Sequence, residues 1–348
     1  MTLASLGWGP FFEDAFRPYR EEGLIPARVA VQHRGGYVLL TEDGELEAEA
    51  ARRLVRSGEL AAVGDWVAVR RLSEEQAIVE AVLPRRTVFS RKETMDRVGE
   101  QVVAANVDTV FLVSALGHDL NLRRLERYLT AGWDSGAEPV VVLTKSDLHP
   151  GEVDEAVAAV EGIAFGVPVH AASNVTKEGL DALDPYLGPG RTVALLGSSG
   201  VGKSTLVNSL LGEERMATAA VREDDERGRH TTSHRELVQL PGGALLLDTP
   251  GMRELQLWVD EEALDTAFAD VSELAAQCRF SDCTHDHEPG CAVAAALEDG
   301  RLDPQRWASY RKLQAEIRAL EIRQDKALRS EQRKHWRRFA RSRRKVQY

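Results

Sequence analysis

Only three of the 348 residues are cysteines. So few, and an odd number, build no disulfide framework, and a reducing compartment is expected. Aromatic residues are also scarce, at 6%, and no apolar run approaches the roughly 18 residues of a membrane span. The first 25 residues carry Glu13, Asp14, Glu21 and Glu22 without a long apolar stretch, which does not look like a secretory signal. At 43% hydrophobic and 28% charged, the chain is neither fibrous nor wholly disordered. A soluble cytoplasmic protein of two or three domains is expected, at roughly 100–200 residues per domain.

An excess of positive charge is missing as well. The net charge is −11, which taken as one number argues against a nucleic-acid partner. The distribution says otherwise. Residues 323–348 hold eleven Lys/Arg and two Asp/Glu, a net of +9, so the other 322 residues carry −20. The run Lys334-His335-Trp336-Arg337-Arg338-Phe339 interleaves aromatics with cations, a composition suited to phosphate contacts and base stacking. A solvated helix end is the plainer alternative.

The remaining sequence divides by pattern. Residues 1–24 place Phe12, Phe16 and Tyr19 at helical spacing, either as a short helix packed on the next domain or as a partner-binding arm. Residues 25–84 contain short β-like runs at 28–32, 36–40, 65–69 and 77–80, separated by turns with Gly and Asp. This spacing predicts a small barrel, with the OB-fold as leading candidate. Residues 85–101 form a basic linker with Arg85, Arg86, Arg91, Lys92 and Arg97, which either meets a phosphate backbone or is simply solvated. From 102 to 260, apolar runs at 110–113, 140–143, 193–196 and 244–247 alternate with helical stretches, the pattern of a parallel sheet covered on both faces. Residues 261–348 read as mainly helical with a cysteine-rich insertion, ending in the basic helix or tail.

One motif carries most of the chemistry. Gly197-Ser198-Ser199-Gly200-Val201-Gly202-Lys203-Ser204 matches G-x-x-x-x-G-K-[ST] in full, between an apolar strand and a helical run that starts at Thr205. The glycines let backbone N–H groups turn inward on phosphate oxygens, and the helix N-terminus adds positive potential. Lys203 is expected to reach the β- and γ-phosphates and Ser204 to ligate Mg²⁺. Asp248-Thr249-Pro250-Gly251 follows another strand, where Asp248 can hold the Mg²⁺ shell and Gly251 can offer its N–H to the γ-phosphate. Thr144-Lys145-Ser146-Asp147 follows a third. Asp147 can accept two hydrogen bonds from a guanine edge, a donor pair adenine lacks, while the Lys145 stem covers the base. Ser173, after His170-Ala171-Ala172, is a weaker candidate for the same pocket. The segment 222–233 is either a nucleotide-ordered switch or a plain surface loop.

All three cysteines fall in Cys278-x₄-Cys283-x-His285-x₅-Cys291. Three thiolates and one imidazole make a closed structural zinc site with no open position for water, and His285 and His287 both stand near enough to serve.

In ordinary GTPases the base-reading tetrapeptide follows the phosphate loop; here it precedes it. With Gly228-Arg229-His230-Thr231-Thr232 and Gln101–Asp108, this order closely resembles the circularly permuted ribosome small-subunit-dependent GTPase A family (RsgA, also called YjeQ) over about 25–345. The resemblance implies a multidomain chain: an N-terminal OB-fold β-barrel, a central circularly permuted P-loop α/β GTPase domain, and a C-terminal mainly helical zinc-binding domain. It implies GTP/GDP, Mg²⁺ and one structural Zn²⁺ as cofactors, and the small (30S) ribosomal subunit and its rRNA as partners, with turnover stimulated late in subunit maturation. It assigns His285 as the fourth zinc ligand, Thr232 as the Mg²⁺- and γ-phosphate-sensing threonine, and His230 as the residue that orients water. Many GTPases carry Gln after the D-x-x-G glycine; Met252 stands there and cannot orient water, so slow intrinsic hydrolysis is expected. Two departures stand out: Thr144 replaces an Asn, and residues 1–24 lie outside the family pattern. A monomer with no membrane contact is expected. Two other readings remain at this stage: a nucleotide-gated RNA-binding scaffold in which hydrolysis only drives release, and an unrelated ATP-using enzyme, against which Asp147 speaks.

Overall fold

The computed structural model describes residues 1–33, 35–92, 100–212, 236–248, 261–286 and 288–318. The chain divides into two compact units, Met1–Ser90 with Val102–Gln256 and Arg91–Gln101 with Leu257–Tyr348. The barrel expected over 25–84 and the α/β sheet expected over 102–260 thus share one unit.

Five strands build the barrel: β1 (Ile25–His33), β2 (Gly36–Thr41), β3 (Gly44–Ala50), β4 (Trp66–Arg71) and β5 (Gln76–Val82). They pair in the order β1-β2-β3-β5-β4, and β4 returns to β1, so the barrel closes and leaves no free edge there. The β3–β5 pair is parallel, and α2 (Arg52–Ser57) lies between β3 and β4 in the chain. Val29, Leu39, Leu46, Val67, Val69 and Val79 alternate inward and fill the barrel.

The N-terminal segment packs on this barrel. Helix α1 (Pro10–Glu21) starts with proline in its first turn and buries Phe12 and Phe16 four residues apart. Trp8 meets Trp66 edge-on with ring centroids 4.6 Å apart, and Phe12 lies 5.8 Å from the same indole. Of the two readings of residues 1–24, the packed helix is the one observed. The linker arginines are also spoken for. Arg85 forms a bidentate pair with fully buried Asp65 at 2.7 and 2.8 Å, and Arg86 pairs with Asp108 at 2.8 Å. These two cations fasten the fold. Burial raises the Asp65 pKa, and the Arg85 hydrogen bonds oppose that rise.

After a two-stranded ribbon, β6 (Val88–Lys92) with β7 (Glu100–Ala105), the α/β sheet contains β8 (Thr109–Ala115), β9 (Glu138–Thr144), β10 (Val169–Ala171), β11 (Thr192–Leu196), β12 (Glu236–Gln239) and β13 (Leu245–Asp248). Its order is β10-β9-β8-β11-β13-β12, parallel except for the antiparallel β12–β13 pair. The four predicted apolar runs are β8, β9, β11 and β13. Helices α3 (Leu122–Asp134) and α4 (Val153–Glu161) lie between β8 and β10 in the chain, and α5 (Lys203–Leu211) follows β11. Val31 pairs with Glu236, so β12 joins the barrel and the sheet into one continuous hydrogen-bonded surface.

A single buried side chain fastens this joint. Arg28, 1% exposed, donates to the carbonyls of Leu6, Gly64 (3.3 Å) and Asn106 (3.1 Å) and to the Thr192 hydroxyl (2.8 Å). It thereby ties the N-terminal segment, the barrel, the entry to β8 and the first residue of β11. Burial lowers its pKa to about 10, which still leaves it charged near neutrality. The turn above it requires glycine twice. Gly7 and Gly190 both have positive φ, and a Cβ on Gly190 would lie 2.5 Å from the Ala4 carbonyl oxygen.

In the second unit, α6 (Glu261–Ala267) and α7 (Ala269–Ala276) precede an irregular stretch, then α8 (Ala292–Glu298) and a helical run over 304–318. Leu264, Phe268, Val271, Val293, Ala296 and Leu302 are buried. Arg306 pairs with Asp270 through two bonds of 2.6 and 2.7 Å and stacks its guanidinium 4.5 Å from the Phe268 ring centroid. This unit therefore has a core beyond any metal. Among the described residues no helix is long and apolar enough to cross a membrane.

Candidate nucleotide and metal sites

Parallel strands align their carboxyl ends on one edge of a sheet, where open α/β folds bind ligands. Here the tetrapeptide leaves β9, Ser173 follows β10, the phosphate loop leaves β11 and Asp248 ends β13. With β8 between β9 and β11, the base-reading and phosphate elements sit two strand spacings apart, roughly 10 Å. The residues expected to meet base, phosphates and magnesium thus follow one another along that edge. The permuted chain order leaves that spatial order intact.

The phosphate loop requires its glycines. A Cβ on Gly197 would lie 2.3 Å from the Val113 carbonyl oxygen, and Gly200 and Gly202 have φ of 82° and 89°. Lys203 opens α5 and turns its ammonium back to donate to the carbonyls of Gly197 (2.6 Å) and Ser198. It thus stands over the loop at the positive end of the helix. Ser199 and Gly200 are exposed at the loop tip, while Ser204 and Thr205 lie half-buried in the first turn of α5.

The residues expected to read the base converge. Ser173 Oγ donates to Asp147 Oδ1 at 2.6 Å and accepts from the backbone N–H groups of Val175 and Thr176. Asp147 is thereby held at the mouth of the sheet with Oδ2 unengaged by any hydrogen bond recorded among the described residues. Lys145 has a left-handed backbone at φ 62° and reaches Asp119 at 3.4 Å. Thr144 is fully buried and donates to the Val201 carbonyl at 2.6 Å, linking the two loops. His230, Thr232 and Gly251 lie outside the described residues, as do the segment 222–233 and the basic tail.

Two residues that the sequence reading passed over touch this site. Tyr128, on α3, places its hydroxyl 3.2 Å from Ser198 Oγ. Asn174, 8% exposed, donates through Nδ2 to the Gly202 carbonyl at 3.2 Å. For Tyr128 no local signal exists. For Asn174 the signal is its place directly after Ser173, together with the hydroxyl at 144 where a carboxamide is usual.

The cysteine cluster closes as the spacing predicts. The ligand atoms of Cys278, Cys283, His285 and Cys291 all lie within 4.8 Å of one another. Cys278 Sγ and Cys291 Sγ are each 3.5 Å from His285 Nδ1 and 3.9 Å from each other. A tetrahedron with Zn–S of about 2.3 Å and Zn–N of about 2.0–2.1 Å has edges of about 3.5–3.8 Å, so the donor set fits that ion. His285 takes φ 62° to turn its ring inward and lies edge-on to Trp307 at 5.7 Å. Backbone N–H groups of Ala292 and Ala294 point at Cys278 Sγ and Cys291 Sγ, each at 3.3 Å, an arrangement that favours thiolates. His287 lies outside the described residues.

A sequence model of the RsgA GTPase matches residues 82–258, half of the chain. The small ribosomal subunit biogenesis GTPase RsgA of Opitutus terrae is 53% identical over 97% of this chain and 96% of that protein. The chain belongs to the RsgA GTPase family. The RsgA of Xanthomonas axonopodis pv. citri is 49% identical over 91% of the chain and 88% of its own length. Among solved structures, YjeQ from Thermotoga maritima superposes with a TM-score of 0.65 at 26% identity, covering 84% of this chain and 98% of that one. The circularly permuted GTPase YloQ shares the fold, with a TM-score of 0.62 at 23% identity over 85% of this chain and 96% of its own. The strand order at the site is thus that of a circularly permuted GTPase fold.

Proposed function

We propose that this RsgA-family chain hydrolyses GTP and couples that turnover to maturation of the small ribosomal subunit. The observation that carries the reading is that Thr144–Asp147, Ser173 and Gly197–Ser204 lie at carboxyl ends along one edge of one sheet, within a chain 53% identical to a small-subunit biogenesis GTPase. Asp147, held by Ser173, reads the guanine edge, and Lys145 covers its plane. The loop from Gly197 to Gly202 cradles the phosphates, with Thr205 beginning the helix behind it, and Lys203 releases its two loop carbonyls to meet the β- and γ-oxygens. Mg²⁺, held through Ser204 with Thr232 and Asp248, would neutralise charge that develops on the transferring phosphoryl group. Gly251 offers its N–H to the γ-phosphate. Nucleotide titration checks the base assignment: GTP and GDP should bind at least tenfold more tightly than ATP and ADP, and equal affinities would contradict it.

His230 is assigned the orientation of the attacking water, because Met252 has no group to do so. His230→Ala should abolish subunit-stimulated turnover while leaving GTP affinity within about twofold. Unchanged stimulated turnover would sink the assignment.

Cys278, Cys283, His285 and Cys291 would hold one structural Zn²⁺ in a cytoplasmic, reducing setting. Since the second unit has its own buried core, metal removal is expected to loosen 278–291 selectively. The native protein should carry one zinc per chain by mass spectrometry under native conditions. A strong chelator should then speed amide exchange across 278–291 more than across α7 or 304–318. A native chain without zinc, or uniform exchange, would overturn this role. The partner surface is assigned to rRNA through the +9 tail at 323–348, whose affinity should fall steeply with salt.

A further inference from the structure

The first position of the base-reading tetrapeptide is Thr144, and its single hydroxyl proton limits what it can hold together. A hydroxyl has one O–H to donate, whereas a carboxamide has two N–H groups. Thr144 Oγ1 commits its proton to the Val201 carbonyl at 2.6 Å; the Ser114 carbonyl, at 3.3 Å, is the weaker claimant on the same proton. The next carbonyl along the phosphate loop, that of Gly202, lies beyond this one donor. Asn174 reaches it instead, from the segment after β10, with Nδ2 at 3.2 Å.

The geometry points to Asn174 as a positioning residue that supplies the hydrogen bond Thr144 lacks, locking the guanine-reading segment to the phosphate loop. The two side chains hold successive carbonyls of the loop, those of Val201 and Gly202, and both lie against Gly202. A Cβ built on Gly202 would meet Asn174 Nδ2 at 3.3 Å and Thr144 Oγ1 at 3.5 Å. Asn174 is 92% buried by its 8% exposure, and its Oδ1 has no hydrogen-bond partner among the described residues. A half-satisfied buried amide costs free energy, so its presence needs a reason, and the bond to Gly202 supplies one. The neighbouring chain reinforces the strap. Lys177 Nζ donates to Ser209 Oγ at 2.8 Å, and Ser209 Oγ contacts the Asn174 carbonyl at 3.5 Å, so 174–177 lie along α5. Ser173 holds Asp147 in the same short segment. Base recognition and phosphate cradling therefore belong to one rigid piece. Ordering one half orders the other before the nucleotide arrives, which reduces the entropy that binding must overcome.

This inference rests on the guanine-nucleotide reading of the site, and the test separates the two. GDP affinity is measured by calorimetry on the full chain, for the wild type, Asn174→Ala, Asn174→Asp, Thr144→Asn and the double variant Thr144→Asn/Asn174→Ala. Asn174→Ala should weaken GDP about tenfold, the worth of one buried hydrogen bond. Asn174→Asp keeps the side-chain shape while turning an acceptor toward the Gly202 carbonyl, so its loss should be at least as large. The deciding variant is the double one: a carboxamide at 144 has the second donor, so affinity should return to within about threefold of wild type. A residue that merely supported the fold would not be rescued from position 144. Asn174→Ala or Asn174→Asp within twofold of wild type would overturn the inference, as would a double variant no tighter than Asn174→Ala. A wild-type chain that binds no GDP would instead overturn the nucleotide assignment itself.

Discussion

Replacing Lys203 with alanine should lower single-turnover GTP hydrolysis by roughly 10²–10³ at saturating nucleotide, with or without small ribosomal subunits. The magnitude follows from removing one preorganised charge aimed at a transferring phosphoryl group. The ammonium is held by the carbonyls of Gly197 and Ser198, at the start of α5. These contacts stand the charge over the loop that is to cradle the phosphates. Affinity for GTP should fall as well, since the same charge meets the ground-state β- and γ-phosphates. Lys203→Arg should not rescue the rate, because the fork of a guanidinium does not fit where one ammonium reaches both oxygens. Hydrolysis within fivefold of wild type at saturating GTP would show that the loop works without this charge.

The second large effect is on stability. Arg28→Ala should cost about 3–5 kcal/mol of folding free energy, measured by chemical denaturation of the full chain. The guanidinium serves three buried carbonyls and the Thr192 hydroxyl, contributed by residues 6, 64, 106 and 192. Asn106 Nδ2 also donates to the Gly64 carbonyl at 3.1 Å, so that acceptor keeps one bond while the others lose theirs. The alanine would also leave a cavity beside Trp66, whose ring centroid lies 5.7 Å from the guanidinium carbon. Arg28→Lys should recover only part of the loss, because an ammonium cannot span four acceptors. A loss below about 1 kcal/mol for Arg28→Ala would mean that the joint between barrel and sheet is held elsewhere.

Arg28 also shows where the sequence stops being legible. Nothing in Arg28-Val29-Ala30-Val31 marks a buried fastener; its acceptors are scattered over nearly two hundred positions and meet only in the fold. The same holds for Arg85 and Arg86, which composition could not tell from a phosphate-binding linker until Asp65 and Asp108 were found beside them. Strand β3, Gly44–Ala50, escaped notice because Glu45, Glu47 and Glu49 have poor strand propensity, although their alternation with Leu46 and Ala48 does match a half-buried strand. Strand β12 is only four residues long and owes its existence to β13 and β1. The nucleotide and metal sites were readable for the opposite reason. A phosphate loop and a Cys₃His set need particular residues at fixed local spacing, so the chemistry is written in contiguous sequence. Asn174 falls between these cases: it lies next to a motif, but its role depends on which side chain occupies position 144.

The central claim is that this fold is a GTPase whose turnover answers to the small ribosomal subunit. The most direct measurement is steady-state GTP hydrolysis by the full chain alone and with purified small subunits at equal nucleotide concentration. Slow intrinsic hydrolysis that rises at least tenfold with small subunits, and does not rise with large subunits, is the predicted result. Equal rates in all three conditions would contradict the account.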